Sequence, residues 1–452
     1  MPITDKDVYT ISKAAVVAVV GLGKIGLPLA VQYAQHGHRV IGCDINPEVV
    51  SIINKGKSHI LEEPLLEEGV AAVVARGLLS ATTHTTEAVR QAQVVVVIVP
   101  VAVNAQHEVV FDTIDAATLA IGAGLQPGTL VIYETTLPVG TTAGRLARLL
   151  EQRSQLCVGR DFSLAFSPER VSSGSIFRDL RLYPKVVGGI DEESTAAAVA
   201  FYRSVLDAEI IAMASTADAE FVKLIETTYR DVNIALANEF ARYADGHGLD
   251  TMAAIAAANS QPYSHIHTPG VGVGGHCIPV YPYFLLAGDL PQPVLTLPRH
   301  ARQINDAMAT YAVERVEAIT GPLAGRAVLI LGVSYRGDVR ETAFTSARLL
   351  LHALQARGAS VYVDDPLFGE TELSAEGYTP LIPELKEEIC AILLQANHRA
   401  YRSFDFSQFP HCKVVLDGRM ALDQEKIESL GMRYICIGRS DVACSARDGG
   451  EK

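Results

Sequence analysis

Three glycines, one carboxylate and one cysteine carry the chemistry that can be read first. Gly21, Gly23 and Gly26 stand as G-x-G-x-x-G directly after the apolar run Ala14 to Val20 and at the head of a helical pattern, GLPLAVQYAQHG. In that context the first glycine allows a tight turn, the second lets the backbone approach a pyrophosphate, and the third permits close helix packing. The helix N-terminus that follows offers unpaired N–H donors to phosphate charge. Asp44 closes the next strand-like run, Val40 to Asp44. A carboxylate there accepts from a free ribose 2′-hydroxyl and repels a 2′-phosphate, so the pattern predicts NAD rather than NADP. The alternative is a purely structural strand-to-helix turn.

Cys277 lies in TPGVGVGGHCIPVYPY, Thr268 to Tyr283. So many glycines beside a thiol specify a main chain folded tightly around something, because glycine serves where φ is positive or a ligand must come close. A thiol there is a candidate nucleophile, since nearby N–H dipoles or cations favour the thiolate. An inert buried cysteine in a glycine turn is the competing reading, and Cys43, Cys390 and Cys436, set in apolar strand-like runs, keep it. Lys223, Thr227 and Arg230 follow a helical spacing that puts them on one face, which is either a solvated stripe or part of a site. His265, His267 and His276 gather near Cys277, but the loop lacks the paired spacing of zinc ligands, so no metal is expected.

The elements that must position these groups alternate strand and helix. Val94 to Val99 and Leu130 to Ile132 read as further buried parallel strands after the glycine turn. From Ser215 to Tyr243 the pattern becomes one long helix, opened by a cap at Ser215 or Thr216. A second alternation follows: RAVLILGVSYRG, a helix around Ser346 to Ala356, GASVYVDDP, AILLQ and KVVLDGR. The fold class expected is α/β, two Rossmann-like doubly wound domains joined by a central helical domain with one long helix. The expected boundaries are 1–213, 214–318 and 319–452, with a tail fraying from about residue 440. The second lobe has Gly332 and Gly337 without the dinucleotide spacing, so a different nucleotide is expected there.

At 452 residues the chain exceeds a single core, and 49% hydrophobic with 20% charged residues fits an ordinary α/β protein. A net charge of -13 argues against a broad electrostatic hold on nucleic acid or anionic lipid. Seven scattered cysteines fit a reducing compartment. The first residues lack a secretory pattern, and no apolar run approaches the ~20 residues that span a bilayer, so a cytoplasmic protein is expected.

Taken together, GLGKIGLP, ETTLPVGTT, FSPERV, KVVGG, AEFVKLIETTYRDVNIALANE, GVGVGGHCIP and RETAF resemble the UDP-glucose/GDP-mannose dehydrogenase family in wording and order. The resemblance runs from Val16 to Arg419. Around SPERV and YRDVNIALANE it is closest to the branch that oxidises UDP-N-acetylhexosamines such as UDP-N-acetylmannosamine or UDP-N-acetylglucosamine.

The resemblance implies a four-electron oxidation of a nucleotide sugar's C6 hydroxymethyl to a carboxylate, with two NADH released. It makes Cys277 the nucleophile, Lys223 the stabiliser of oxyanion charge or proton carrier, Glu169 the partner of the hydrolytic water, and Thr136 a neighbour of cofactor and reacting carbon. Thr227 stands where the family usually has an oxyanion-donating Asn. Lys24, Ile25, Asp44, Thr136 and Arg340 match cofactor contacts; Arg170, Val171, Lys223, Arg230, Gly274, Tyr335, Arg336 and Arg419 match sugar-nucleotide contacts. The long helix implies a homodimer.

The chain also departs from the family. Tyr281 replaces an Asp four residues after Cys277, and Thr227 can still donate whereas Tyr281 cannot replace a carboxylate charge. Gln261 and Tyr263 stand where a basic residue is usual, Val101 replaces a Thr, and the span between Arg336 and Arg340 is short. Two other functions remain open: a two-electron β-hydroxyacid dehydrogenase, and a non-catalytic nucleotide-sugar-binding subunit.

Overall fold

A computed structural model describes residues 14–60, 62–171, 174–288 and 294–439. The expected tail from Ser440 lies outside the described residues. They fold into two compact units, Met1–Glu226 with Tyr283–Asp289 and Thr227–Pro282 with Leu290–Lys452.

The first unit is built on β1 (Val16–Val20), β2 (Arg39–Cys43), β3 (Leu79–Thr82), β4 (Val94–Val97), β5 (Ala102–Val103), β6 (Val109–Val110), β7 (Leu130–Tyr133), β8 (Ser163–Phe166), β9 (Lys185–Gly189) and β10 (Ile210–Ala212). Eight of them form one sheet in the order β10-β9-β8-β7-β4-β1-β2-β3, and β5 pairs with β6 as a separate hairpin. β1 lies between β2 and β4, so the strand order reverses beside it, the place where α/β sheets bind ligands. Within the eight-stranded sheet the pairings are parallel except β8 with β9, which is antiparallel.

Burial on both faces explains the valine-rich strands. Val17 and Val19 enter one core with Val40, Val94 and Val96, while Ala18 and Val20 enter the other with Ile41, Val95 and Val97. Strand side chains alternate between faces, and only an apolar run satisfies two buried faces. The run read as Val94 to Val99 leaves the sheet at Val97, where the chain turns out to the ligand edge.

The second unit carries β11 (Ala327–Leu331), β12 (Ser360–Asp364), β13 (Ile389–Leu394), β14 (Val414–Asp417) and β15 (Arg433–Cys436), all parallel, in the order β12-β11-β13-β14-β15. Here too the first strand sits at the reversal. The expected class, two Rossmann-like sheets with helices between them in sequence, is therefore the one adopted.

The long helix is Thr216–His247, four residues longer at its end than the sequence pattern indicates. Ser215 opens it: its Oγ accepts the Asp218 N–H at 3.1 Å and donates to the Asp218 carboxylate at 2.7 Å. Within the second unit this helix meets Thr296–Thr320 through buried polar side chains. Asp231 accepts from Arg302 at 2.6 Å and from Asn305 at 2.8 Å, and Asn238 donates to Asn305 at 2.9 Å. Such a chain of directional bonds fixes the register of two helices more sharply than apolar contact. Among the described residues no helix is long and apolar enough to cross a membrane.

Candidate active site

In the first unit the glycine turn has the geometry its spacing requires. Gly21 has φ +98°, and a Cβ there would lie 2.6 Å from the Ile98 carbonyl oxygen. A Cβ on Gly26 would lie 1.9 Å from the Gly21 oxygen, whereas one on Gly23 would meet nothing within 4 Å. Two glycines thus close the turn and the middle one leaves room above it. The helix Gly26–Gln35 starts without a side-chain cap at Ile25, so its first-turn donors face no competing side chain there. Asp44 accepts the Leu22 N–H at 3.1 Å and the Asn46 N–H at 2.9 Å, so it ties the glycine turn to the end of β2 while staying half-buried. This cradle fits a dinucleotide.

Beside it, Thr136 is buried on the loop after β7. The continuation of that loop is gripped by Glu220 of the long helix, which accepts the Gly140 N–H at 2.5 Å and both the N–H and hydroxyl of Thr142 at 2.8 and 2.6 Å. Lys223, one turn further along the helix, is buried too. Lys24 borders the glycine turn, half-buried.

Glu169, on the loop after β8, holds its carboxylate among three donors. One oxygen accepts the N–H groups of Arg170 at 2.7 Å and Val171 at 3.1 Å, and the other accepts Lys185 Nζ at 2.8 Å. The Arg170 guanidinium bonds Glu226 at 3.3 Å and the Pro184 carbonyl at 3.1 Å.

In the second unit the cysteine loop is anchored at both ends. The Gly270 N–H bonds Asn238 Oδ1 at 2.9 Å, so the helix register described above also sets where the loop starts. Gly275 donates to the Ala343 carbonyl at 2.9 Å, and its φ of +101° lets the chain pass flat over Tyr335, whose ring would lie 3.2 Å from any added Cβ. Gly274 is pressed likewise against Tyr335 and the Phe344 carbonyl. His276 faces Glu341 at 3.2 Å. Cys277 sits half-buried in the turn leading into the helix Tyr281–Ala287, its carbonyl accepting the Tyr281 N–H at 2.9 Å.

The other thiols differ. Burial pushes Cys43, Cys412 and Cys436 up to about 12 and raises Cys390 as well, which makes them poor nucleophiles. Cys157 is exposed on the loop before β8, outside every motif above. Among the described residues no group of three or more His, Cys, Asp or Glu is placed to hold a metal ion.

Also in the second unit, Arg419 lies under the same loop. Its Nε donates to the Gln395 carbonyl at 2.6 Å, and burial pulls its guanidinium down to about 10. Tyr335 is half-buried and Arg336 exposed, and the Arg336 guanidinium lies 5.7 Å from the Tyr335 ring centroid. Arg340 is engaged by Glu372 and by the Leu367 carbonyl at 3.0 Å. The short span between these arginines closes by taking Asp338 to φ +58°, with Phe344 at +47° just beyond. Thr227 is buried on the long helix and Arg230 exposed. The structure thus brings Gly274, Tyr335, Arg419 and Cys277 into one loop region of the second unit, and Gly21, Gly23, Gly26 and Asp44 into one turn of the first.

Three family models match in sequence order: the NAD binding domain of the UDP-glucose/GDP-mannose dehydrogenase family over residues 15–206, its central domain over 217–307 and its UDP binding domain over 329–424. The chain belongs to the UDP-glucose/GDP-mannose dehydrogenase family. It is 34% identical over 433 residues to the UDP-N-acetyl-D-mannosamine dehydrogenase of Pyrococcus horikoshii, covering 94% of this chain and 100% of that one. It is 34% identical over 412 residues to an NDP-N-acetyl-D-galactosaminuronic acid dehydrogenase of Ralstonia solanacearum, covering 89% and 95%. Among solved structures it superposes on the Pyrococcus horikoshii UDP-D-ManNAc dehydrogenase with a TM-score of 0.85 at 33% identity, covering 94% of this chain and 99% of that one. A UDP-glucose dehydrogenase from Pyrobaculum islandicum gives 0.83 at 27%, covering 97% and 100%. This family member is an NAD-dependent nucleotide-sugar dehydrogenase.

Sequence reasoning missed Glu134 and Lys185, which the fold places against Glu169. Both stand inside quoted motifs, ETTLPVGTT and KVVGG. A charge inside an apolar strand must find a partner or neutralise, and that signal marks both residues. Which partner each would find is a tertiary fact.

Proposed function

We propose that this dehydrogenase oxidises the C6 hydroxymethyl of UDP-N-acetylmannosamine, or a close UDP-N-acetylhexosamine, to the carboxylate, releasing two NADH per sugar. The reading is supported by the relatives named above and by the wording of SPERV and YRDVNIALANE. The observation that carries the chemistry is Cys277, a half-buried thiol on a loop of glycines packed flat on Tyr335, whereas among the described residues Cys43, Cys390, Cys412 and Cys436 are buried.

Gly21, Gly23, Lys24, Ile25, Gly26 and Asp44 hold the dinucleotide, with Thr136 and Arg340 as further contacts. NAD, when bound, supplies the hydride acceptor. Loss of hydride from the C6 alcohol leaves an aldehyde, which cannot lose a second hydride until a nucleophile makes it tetrahedral. Cys277 adds to it, and the thiohemiacetal can then be oxidised to a thioester. Lys223 stabilises the oxygen charge that develops in these steps, with Thr227 donating beside it. Water, activated at Glu169, releases the acid. Arg170, Val171, Arg230, Gly274, Tyr335, Arg336 and Arg419 hold the sugar nucleotide.

The test is a panel of nucleotide sugars with NAD. Two NADH per sugar and a uronic acid product are expected, with UDP-N-acetylmannosamine preferred. One NADH per sugar with free aldehyde accumulating would overturn the thioester route.

The enzyme works as a cytoplasmic homodimer in this proposal. Support for the dimer is an exposed apolar stripe on the long helix, Phe221, Ile225, Tyr229, Leu236, Phe240 and Tyr243. Steps of three, four and seven residues place these side chains along one face of the helix. Light scattering of Leu236→Glu with Phe240→Glu is expected to give half the wild-type mass; a monomeric wild type would refute the assembly.

A further inference from the structure

Glu169 does not stand alone. Lys185 Nζ, at the start of β9, lies 2.8 Å from Glu169 Oε2 and 2.8 Å from Glu134 Oε2, at the end of β7. The side chains of Lys185, Glu134 and Glu169 are 5%, 0% and 10% exposed. The far oxygen of Glu134 accepts from Tyr202 at 2.6 Å and Tyr33 at 3.1 Å. A small cleft lined by Glu169, Arg170, Tyr183 and Lys185 among others gives onto the same cluster.

We propose that the base for thioester hydrolysis is the carboxyl pair Glu134 and Glu169, bridged by Lys185, with Glu169 facing the water and Glu134 and Lys185 acting through it as positioning residues. This rests on the thioester reading above.

Charge arithmetic supports the pairing. One cation between two carboxylates leaves a net negative charge in a buried cluster, and a single proton removes it. Burial, with the neighbouring Glu169 adding to it, raises Glu134 to about 7 against the pull of Lys185. Burial also acts to raise Glu169, but Lys185, the bond from Glu134 and the Arg170 N–H outweigh it and hold Glu169 low. Alone, so weak a base would be a poor acceptor for a water proton. As a pair, the two carboxyls take up a proton near neutrality, where a general base is most effective.

The groups facing the pair do not supply that proton themselves. Tyr33, from the helix Gly26–Gln35, and Tyr202, from the helix Glu192–Val205, are both held well above their ordinary range by burial and stay neutral. The two carboxylates keep Lys185 charged despite its burial. Arg170 reaches the pair through its N–H while its guanidinium is held by Glu226, and Asp179 and Tyr183 line the cleft.

In the step itself, one O–H bond of water breaks and its oxygen bonds to the thioester carbon. The carbon–sulfur electron pair leaves on Cys277 as thiolate. The proton passes to Glu169, is shared with Glu134, and later returns to solvent, while the released acid ionises.

The experiment follows acyl-enzyme on Cys277 by quenched-flow mass spectrometry, with NADH formation alongside, in wild type, Glu134→Gln, Glu134→Asp and Glu169→Gln. Glu134→Gln removes a negative charge, so Glu169 faces Lys185 alone and its pKa falls further. Acyl-enzyme breakdown is expected to slow by roughly 10- to 100-fold, with its acid limb moved to lower pH, while the early NADH burst remains. Glu134→Asp should recover part of the rate. Breakdown in Glu134→Gln at the wild-type rate and pH midpoint, with acyl-enzyme still trapped by Glu169→Gln, would overturn the pairing and leave the thioester route standing. Absence of acyl-enzyme in every form would instead sink the thioester route. Should Glu134→Gln fail to fold, the wild type decides: breakdown without an acid limb near pH 7 overturns the pairing.

Discussion

The two sheets open in the same way and then part. β1 and β11 each lie at the strand-order reversal, and each ends in a glycine of positive φ, Gly21 at +98° and Gly332 at +89°. At both, an added Cβ would come within 2.6 Å of the strand across the reversal, at the Ile98 oxygen and the Ala396 Cβ. At both, an aspartate beyond the second strand accepts N–H groups of the turn: Asp44 from Leu22, Asp365 from Val333 at 2.7 Å and Ser334 at 3.1 Å. There the likeness stops. Asp365 is also bonded by His398 and the Leu367 N–H and is 4% exposed, so its acceptor capacity is spent inside the protein. Asp44 keeps a half-buried carboxylate. In the first unit a helix without a side-chain cap follows at Gly26, whereas in the second the helix waits until Ser346 and is capped by Thr345. One topology therefore yields a turn left open for a dinucleotide and another closed upon itself.

The largest effects on ligand binding should come from the glycines. Gly26→Ala drives a Cβ into the Gly21 carbonyl, and about 2–3 kcal/mol of strain at that turn would weaken NAD binding by about a hundredfold. Binding of the UDP-sugar, measured by calorimetry in the same protein, should hardly change. Gly332→Ala should give the reverse pattern. If both variants lost NAD equally, the division of labour between the two turns would be wrong.

That division was partly legible in the residues. G-x-G-x-x-G with Asp44 identifies the open turn, and Gly332 with Gly337 on the wrong spacing identifies the other as different. What the residues could not disclose is that Asp365 is consumed by His398, because they lie far apart in the chain and meet only when β12 and β13 flank β11. The same holds for Glu134, just after β7, and Lys185, on β9, with β8 between the two strands. The antiparallel pairing of β8 with β9 was hidden as well, since alternation and apolarity report burial and not strand direction. The glycines around Cys277 declared a tight loop, but its seat on Tyr335 is a tertiary contact.

A second comparison separates the aspartates. Asp365→Asn leaves one oxygen where two accepted several donors, and a loss of about 2–4 kcal/mol of stability is expected, with NAD affinity unchanged. The sign with pH follows from Asp365 being held below its ordinary value: burial opposes this, but the His398 bond and the backbone N–H groups prevail. The stability it contributes is therefore present above about pH 4 and fades as pH falls through the folded-state value. Denaturant melts at pH 7 and pH 3 should show the wild type losing its advantage over Asp365→Asn. Asp44→Ala should cost less stability than Asp365→Asn, raise the NAD dissociation constant about 10- to 100-fold and narrow the preference over NADP.

The smallest effect tests the caps. Thr345 accepts the Ala347 N–H at 3.2 Å and closes the start of the helix Ser346–Gln355, whereas no side chain caps Gly26–Gln35. Thr345→Ala should cost about 1 kcal/mol and lower the melting temperature by about 2–4 °C, and Thr345→Ser should restore most of it. NAD affinity should not respond to either. An unchanged melting temperature in Thr345→Ala would mean that the second helix is satisfied without its cap, and the contrast between a helix end kept open and one kept closed would then rest on the two aspartates alone.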